Sequence, residues 1–115
     1  MAGITSALCT SFKVELLEGD HDFNNGADAF KVALFKANAS ITGTYDATTT
    51  NYSNVTGNSD ELPNGSGYTT GGYALTNVNP TSSGTTAFTD FSANAAWSSA
   101  TFTTRGCIIY NTSDS

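Results

Sequence analysis

The stretch Ala29–Lys36, Ala-Phe-Lys-Val-Ala-Leu-Phe-Lys, limits what this chain can fold into more than any other segment. Phe30, Val32 and Leu34 alternate with Lys31, Ala33 and Phe35, and a period of two places the first three on one face of a β-strand. That face has to leave water, and a single strand cannot cover itself. The remainder of the chain is therefore expected to supply sheet neighbours and an opposing layer.

The rest of the sequence suits that demand. Its 115 residues are enough for one core and too few for two. Ser, Thr, Asn and Gly dominate over charged residues, which make up 12%. Thr fits a pleated surface, while Asn and Gly supply the positive φ angles of tight turns. Seven Phe, five Tyr and one Trp are a large apolar supply for a chain of this size. The expected fold is all-β: a single small antiparallel β-sandwich or jelly-roll-like domain over residues 11–115, preceded by an N-terminal arm over residues 1–10.

Along the chain, Ser11–Leu17 alternates Phe12, Val14 and Leu16 against Lys13 and Glu15, which predicts a first strand. Asn25-Gly26 is the best short turn signal, so this strand and Ala29–Lys36 are expected to form a hairpin. Thr44–Asn51, around Tyr45, reads as a short strand or an irregular edge. Ser53–Gly72 reads as a long loop, with one helical turn at Asp60-Glu61-Leu62-Pro63. Tyr73–Val78 and Thr85–Phe91 read as neighbouring strands, separated by a turn region in which Pro80 stops the first. Ala100–Tyr110 reads as one continuous strand, a hairpin at Arg105-Gly106 being the alternative. Ile108, Ile109 and Tyr110 would then form an apolar edge with no strand behind them, closed either by a neighbouring subunit or by further polypeptide.

Charge and composition exclude some classes. A net charge of −6, with Lys13, Lys31, Lys36 and Arg105 scattered, does not build a nucleic-acid surface. Met1–Ser11 lacks the pattern of a secretory leader and no segment has the length of a membrane span, so neither secretion by that route nor a membrane partner is expected. Cys9 and Cys107 read as reduced thiols of a cytoplasmically made protein, with a Cys9–Cys107 bridge as the alternative. The Asn-x-Ser/Thr triplets at Asn38, Asn51, Asn54, Asn64 and Asn111 follow from composition rather than marking glycan sites.

Candidate chemistry is sparse. His21, the single histidine, lies between Asp20 and Asp22, which invokes an acid–base pair, but the same residues suit an exposed polar turn. Asp20, Asp22, Asn24 and Asp28 have the oxygen density of a cation loop, yet Asn25 and Lys31 stand where an EF-hand needs Gly and Glu. Two cysteines and one histidine cannot make a four-ligand zinc site. Tyr45, Tyr52, Tyr68 and Tyr73 could stack on a sugar or be core residues with satisfied hydroxyls. No catalytic residue, cofactor or metal is assigned, and no enzyme activity is expected.

Four segments in order carry a family likeness: Lys13-Val-Glu-Leu-Leu-Glu-Gly-Asp-His-Asp-Phe23, Phe30-Lys-Val-Ala-Leu-Phe-Lys36, Gly67-Tyr-Thr-Thr-Gly-Gly72 and Phe102-Thr-Thr-Arg-Gly-Cys-Ile-Ile-Tyr-Asn111. Together they resemble a family of small β-rich virion proteins of tailed bacteriophages, whose members continue past the equivalent of Asn111 into another pair of strands. The resemblance implies a structural protein located in the virion and made in the host cytoplasm. It would be a capsid decoration or cement protein, homo-oligomeric, with the major capsid protein or other virion proteins as partners. The arm Met1–Ser11, the loop Ser53–Gly72 and the edge Ile108–Tyr110 would make the contacts. A tail or fibre component is the alternative within that implication, and a carbohydrate-binding β-module is the alternative outside it.

Overall fold

The computed structural model describes residues 3–37 and 40–113, so the Asn38 triplet and the last two residues lie outside the described part. Within it the chain is β-rich, with two short helices. The organising element is the strand predicted first. Phe30–Leu34, β2 here, is the middle of a three-stranded antiparallel sheet between Tyr73–Leu75 (β4) and Cys107–Asn111 (β7). Val32 stands opposite Tyr73 on one side and Ile109 on the other, and Ala33 stands opposite Ile108.

Burial goes beyond the expected single face. Phe30, Val32, Ala33, Leu34 and Phe35 are all buried, so both faces of β2 are covered. Leu34 packs with Leu62 and Tyr68, with Trp97 and Phe102 against them. On the other side Phe35 packs with Ile41, Tyr45 and Val55, joined by Ile4 and Ile108. The end of β2 at Phe30 is closed by rings: Phe23 stacks on Phe30 at 4.4 Å, and Phe91 lies 6.3 Å away. A strand enclosed on both faces reads as a near-continuous apolar run, and Phe-Lys-Val-Ala-Leu-Phe breaks that run only at Lys31.

Several sequence expectations are corrected. Ser11–Leu17 is not a strand: Thr10–Glu18 is a helix, α1, so no hairpin joins it to β2. Lys13, Glu15, Leu16, Leu17 and Glu18 are good helix formers, and Gly19 closes the helix at φ 85, its N–H bonded to Leu16 O and that of Asp20 to Glu15 O. From Gly3 the predicted arm is held by its own chain. Gly3–Ile4 (β1) pairs in parallel with Thr44–Tyr45 (β3), and Thr10 N–H reaches Ala47 O at 2.9 Å. Ser53–Gly72 is not wholly a loop, because Tyr52–Gly57 forms α2 with a capping box between Asn51 and Asn54. Asp60-Glu61-Leu62 is no helical turn; it runs into the core, bridging Phe35 at Glu61.

Pro80 does not end its strand. Asn77–Ser83 (β5) runs through it, with Asn79 and Pro80 opposite Thr89 in a bulge that absorbs the missing N–H. Strand β5 pairs with Thr86–Phe91 (β6) in a two-stranded ribbon separate from the other two sheets. The final strand is also shorter than expected: residues 100–106 are not strand, and only Cys107–Asn111 pairs. One side of β7 zips along the whole of β2, while its other side is the outer edge of the sheet, where Ile109 is 54% exposed. One partner of β7 therefore lies inside the same chain.

Candidate functional site

Three polar clusters and two surfaces could carry function, and the clusters prove to be internal braces. His21 is tucked under α1, its ring 4.8 Å from Phe12. One ring nitrogen, Nε2, lies 2.9 Å from Glu15 Oε1, and the other, Nδ1, lies 2.9 Å from Asn111 Nδ2. Because the Asn111 amide can only donate, Nδ1 accepts and Nε2 carries the proton towards Glu15. Among the described residues no serine hydroxyl reaches the ring. The flanking Asp20 and Asp22 are not its partners; the structure ties the histidine to α1 and to β7, not to a triad.

The loop with the candidate cation oxygens is likewise turned inward. Asp22 Oδ1 accepts from Asn24 N–H and Nδ2, and Asp28 Oδ2 accepts from Asp22 N–H and Asn111 Nδ2. The Asp22 N–H bond, then the Asn111 bond, hold the Asp28 carboxyl below its ordinary range, with His21 adding to the effect. Asp20, Asp22, Asn24 and Asp28 therefore do not converge as a cage. The loop grips the ribbon instead. Asn77 donates both amide hydrogens, to Asn24 O at 3.2 Å and Asp28 O at 2.9 Å. Asn25 donates its side chain to Asn77 O and its backbone N–H to Asn79 Oδ1, both at 2.8 Å. Asn25-Gly26 is a turn, as its sequence predicts, but a turn serving as the socket for β5.

Tyr45 and Tyr68 become core, and Tyr52, Tyr73 and Tyr110 are half-buried. Tyr68 donates to Glu61 Oε2 at 2.6 Å and accepts from Leu34 N–H, while Tyr52 donates to Glu61 Oε1. Tyr110 stacks on Tyr52 at 4.0 Å and 3° and donates to Gly71 O. Tyr45 donates to Asp60 Oδ2 at 2.5 Å, and Tyr73 meets Trp97 edge-on. Burial first and the neighbouring carboxylate second push the phenols of Tyr45, Tyr52 and Tyr68 up, Tyr45 to about 12. The hydroxyls of Tyr45, Tyr52, Tyr68 and Tyr110 are thus engaged within the chain, and Tyr73 is engaged by its ring. Cys9 and Cys107 are free thiols without a bridge.

What remains open is surface. Helix α1 buries none of its residues, and Leu17 is 90% exposed, with Leu8, Val14 and Leu16 also exposed beside it. The ribbon is exposed on both faces from Val78 through Asp90, Phe88 at 46%. Asp90 is the only charged residue from Leu62 to Thr104. Neither surface was legible as an interface in the sequence, because Val14 and Leu16 read there as one face of a strand and Phe88 as part of a strand with a neighbour. Among the described residues no helix is long and apolar enough to cross a membrane. Comparison of the chain with protein-family models, with curated proteins and with solved structures finds no match in any of the three.

Proposed function

We propose that this chain is a structural protein of a bacteriophage particle, most specifically a capsid decoration or cement protein that seats on the outer shell and stabilises it. One observation carries the reading: every buried acid and tyrosine braces the fold, while the apolar side of α1 and the β5–β6 ribbon, whose one charged residue is Asp90, are left for something outside the chain. Exposed apolar patches beside such a ribbon suit protein–protein contact. The family likeness of four segments names the setting, and the net charge of −6 directs the surface towards protein rather than nucleic acid. On this reading the separate sheets are layers of a sandwich or jelly-roll-like unit that neighbouring virion proteins complete. The protein works by occupancy, without turnover or cofactor.

Quantitative mass spectrometry of purified particles tests it. Capsid-like copy number supports decoration, a copy number near that of tail components moves the chain to the tail or fibre, and absence from particles overturns the proposal.

A further inference from the structure

The β5–β6 ribbon has two outer edges, and they are not equivalent. That of β5 is broken by the bulge and by Pro80, which has no N–H to offer. That of β6 is regular. Gly84 and Thr85 form a two-residue turn with Gly84 at φ 61, so the closing pair Ser83–Thr86 exchanges backbone hydrogen bonds. Alternation then turns the N–H and C=O of Thr86, Phe88 and Asp90 towards β5 and those of Ala87 and Thr89 outward. Ser92 N–H, bonded to Thr76 O at 2.9 Å, confirms the phase. The next outward N–H, that of Phe91, is taken by Asp90 Oδ1 at 2.7 Å. The open edge is therefore short and symmetric: Ala87 and Thr89, one on each side of Phe88.

We infer that this edge pairs with the same edge of a second copy, antiparallel about a two-fold axis through Phe88, joining two ribbons into one four-stranded sheet. Ala87 faces Thr89 of the other copy and the reverse, so four backbone hydrogen bonds form, and the two Phe88 rings meet as a close non-hydrogen-bonded pair. The two-fold makes the contact isologous and closed. The two-fold register of the edge favours a copy of this chain here, and charge does not oppose it. Two chains of −6 repel in general, but this edge brings only Asp90, placed opposite Thr86 and roughly 14 Å along the strand from its mate, beyond the ~10 Å screening length of ordinary buffer. So short a seam falls below the ~1,000 Å² of a self-sufficient interface, which sets the affinity at micromolar or weaker and suits copies held side by side on a larger assembly. The inference rests on the assembly role proposed above and specifies which edge joins which partner.

Sedimentation of the purified chain from micromolar to millimolar concentration, combined with amide hydrogen exchange, tests it. A reversible dimer is expected in which Ala87 and Thr89 amides gain protection with concentration, while Thr86 and Phe88 amides are protected throughout. Phe88→Lys, which sets two cations face to face without altering the backbone, is expected to weaken dimerisation at least tenfold. Thr89→Pro, which removes one outward donor, is expected to do the same, and Leu17→Lys to leave it unchanged. A monomer at all concentrations, a dimer whose Ala87 and Thr89 amides exchange freely, or a dimer lost in Leu17→Lys and kept in Phe88→Lys would each overturn it. A monomer still found at capsid copy number in particles removes this seam and leaves the virion role. A dimer absent from particles does the reverse.

Discussion

Asp60 is the residue on which one half of the core depends. It is completely buried yet accepts four hydrogen bonds, from Thr42 N–H and Oγ1, Gly43 N–H and the Tyr45 hydroxyl. Burial alone would raise its pKa, but the bonds from Tyr45, Thr42 and Gly43 outweigh burial and hold the carboxyl below its usual value. A depressed carboxylate contributes stability that is present above the unfolded pKa and lost as pH falls through the folded one, so urea unfolding should weaken below about pH 4. Asp60→Asn puts an amide against donors and should cost about 3 kcal/mol at neutral pH, with a shallower loss in acid, read from urea midpoints across pH. The phenols run the other way. Tyr45, Tyr52, Tyr68 and Tyr110 are all raised, so their contribution is complete below about pH 10 and is lost as pH climbs towards about 12, the value for Tyr45. In a spectrophotometric titration these four should stay protonated near pH 10 and ionise only as the fold opens. Neither partner set was readable beforehand, because Asp60 and Tyr45 are 15 positions apart and only the packing of Phe35, Ile41 and Val55 brings the strip 41–45 against 55–61.

Among the elements, β2 needs its surroundings least and α1 needs them most. Alternation of Phe30, Val32 and Leu34 identified β2 correctly, since a buried central strand leaves little freedom in what its residues can be. The same period of two misread α1, where Phe12, Val14 and Leu16 alternate as in a strand but sit on a helix that turns only Phe12 and Glu15 towards His21. A short helix with no buried residue lacks the three-to-four spacing that would have revealed it, and the Gly19 stop was its clearest mark. Thr86–Phe91 was foreseen as a strand, but its partner was not: Tyr73–Leu75 pairs with β2, and β6 pairs with Asn77–Ser83, most of which reads in the sequence as a turn. Asn77→Ala removes both bonds to Asn24 and Asp28 and should cost about 1–2 kcal/mol. Amide exchange over β5 and β6 should accelerate more than over β2 and β7, as expected of an isolated hairpin deprived of its anchor.

At the scale of the molecule the chain is more extended than its length requires. Its radius of gyration is 14.8 Å, against roughly 13 Å for a compact chain of this size. Among the described residues, the exposed large apolar side chains other than Ile109 lie on or beside α1 and on the ribbon. If those surfaces dock to a shell, Leu17→Lys should leave the unfolding free energy within about 0.5 kcal/mol while lowering particle occupancy, measured by binding to particles stripped of this protein. That split between unchanged stability and lost binding separates a contact residue from a structural one. The amino-acid sequence by itself determined the β-rich class, the central strand, the Asn25-Gly26 turn and the strand at Thr86–Phe91. These are set by alternation and by turn residues acting over a few positions. Only the tertiary structure decided that β7 completes the sheet of its own chain, that Asp60 and Glu61 enter the core, and that β6 keeps an open edge. Each depends on which distant segments share a hydrogen-bond ladder or enclose a carboxylate, and a one-dimensional pattern carries no record of contacts between residues tens of positions apart.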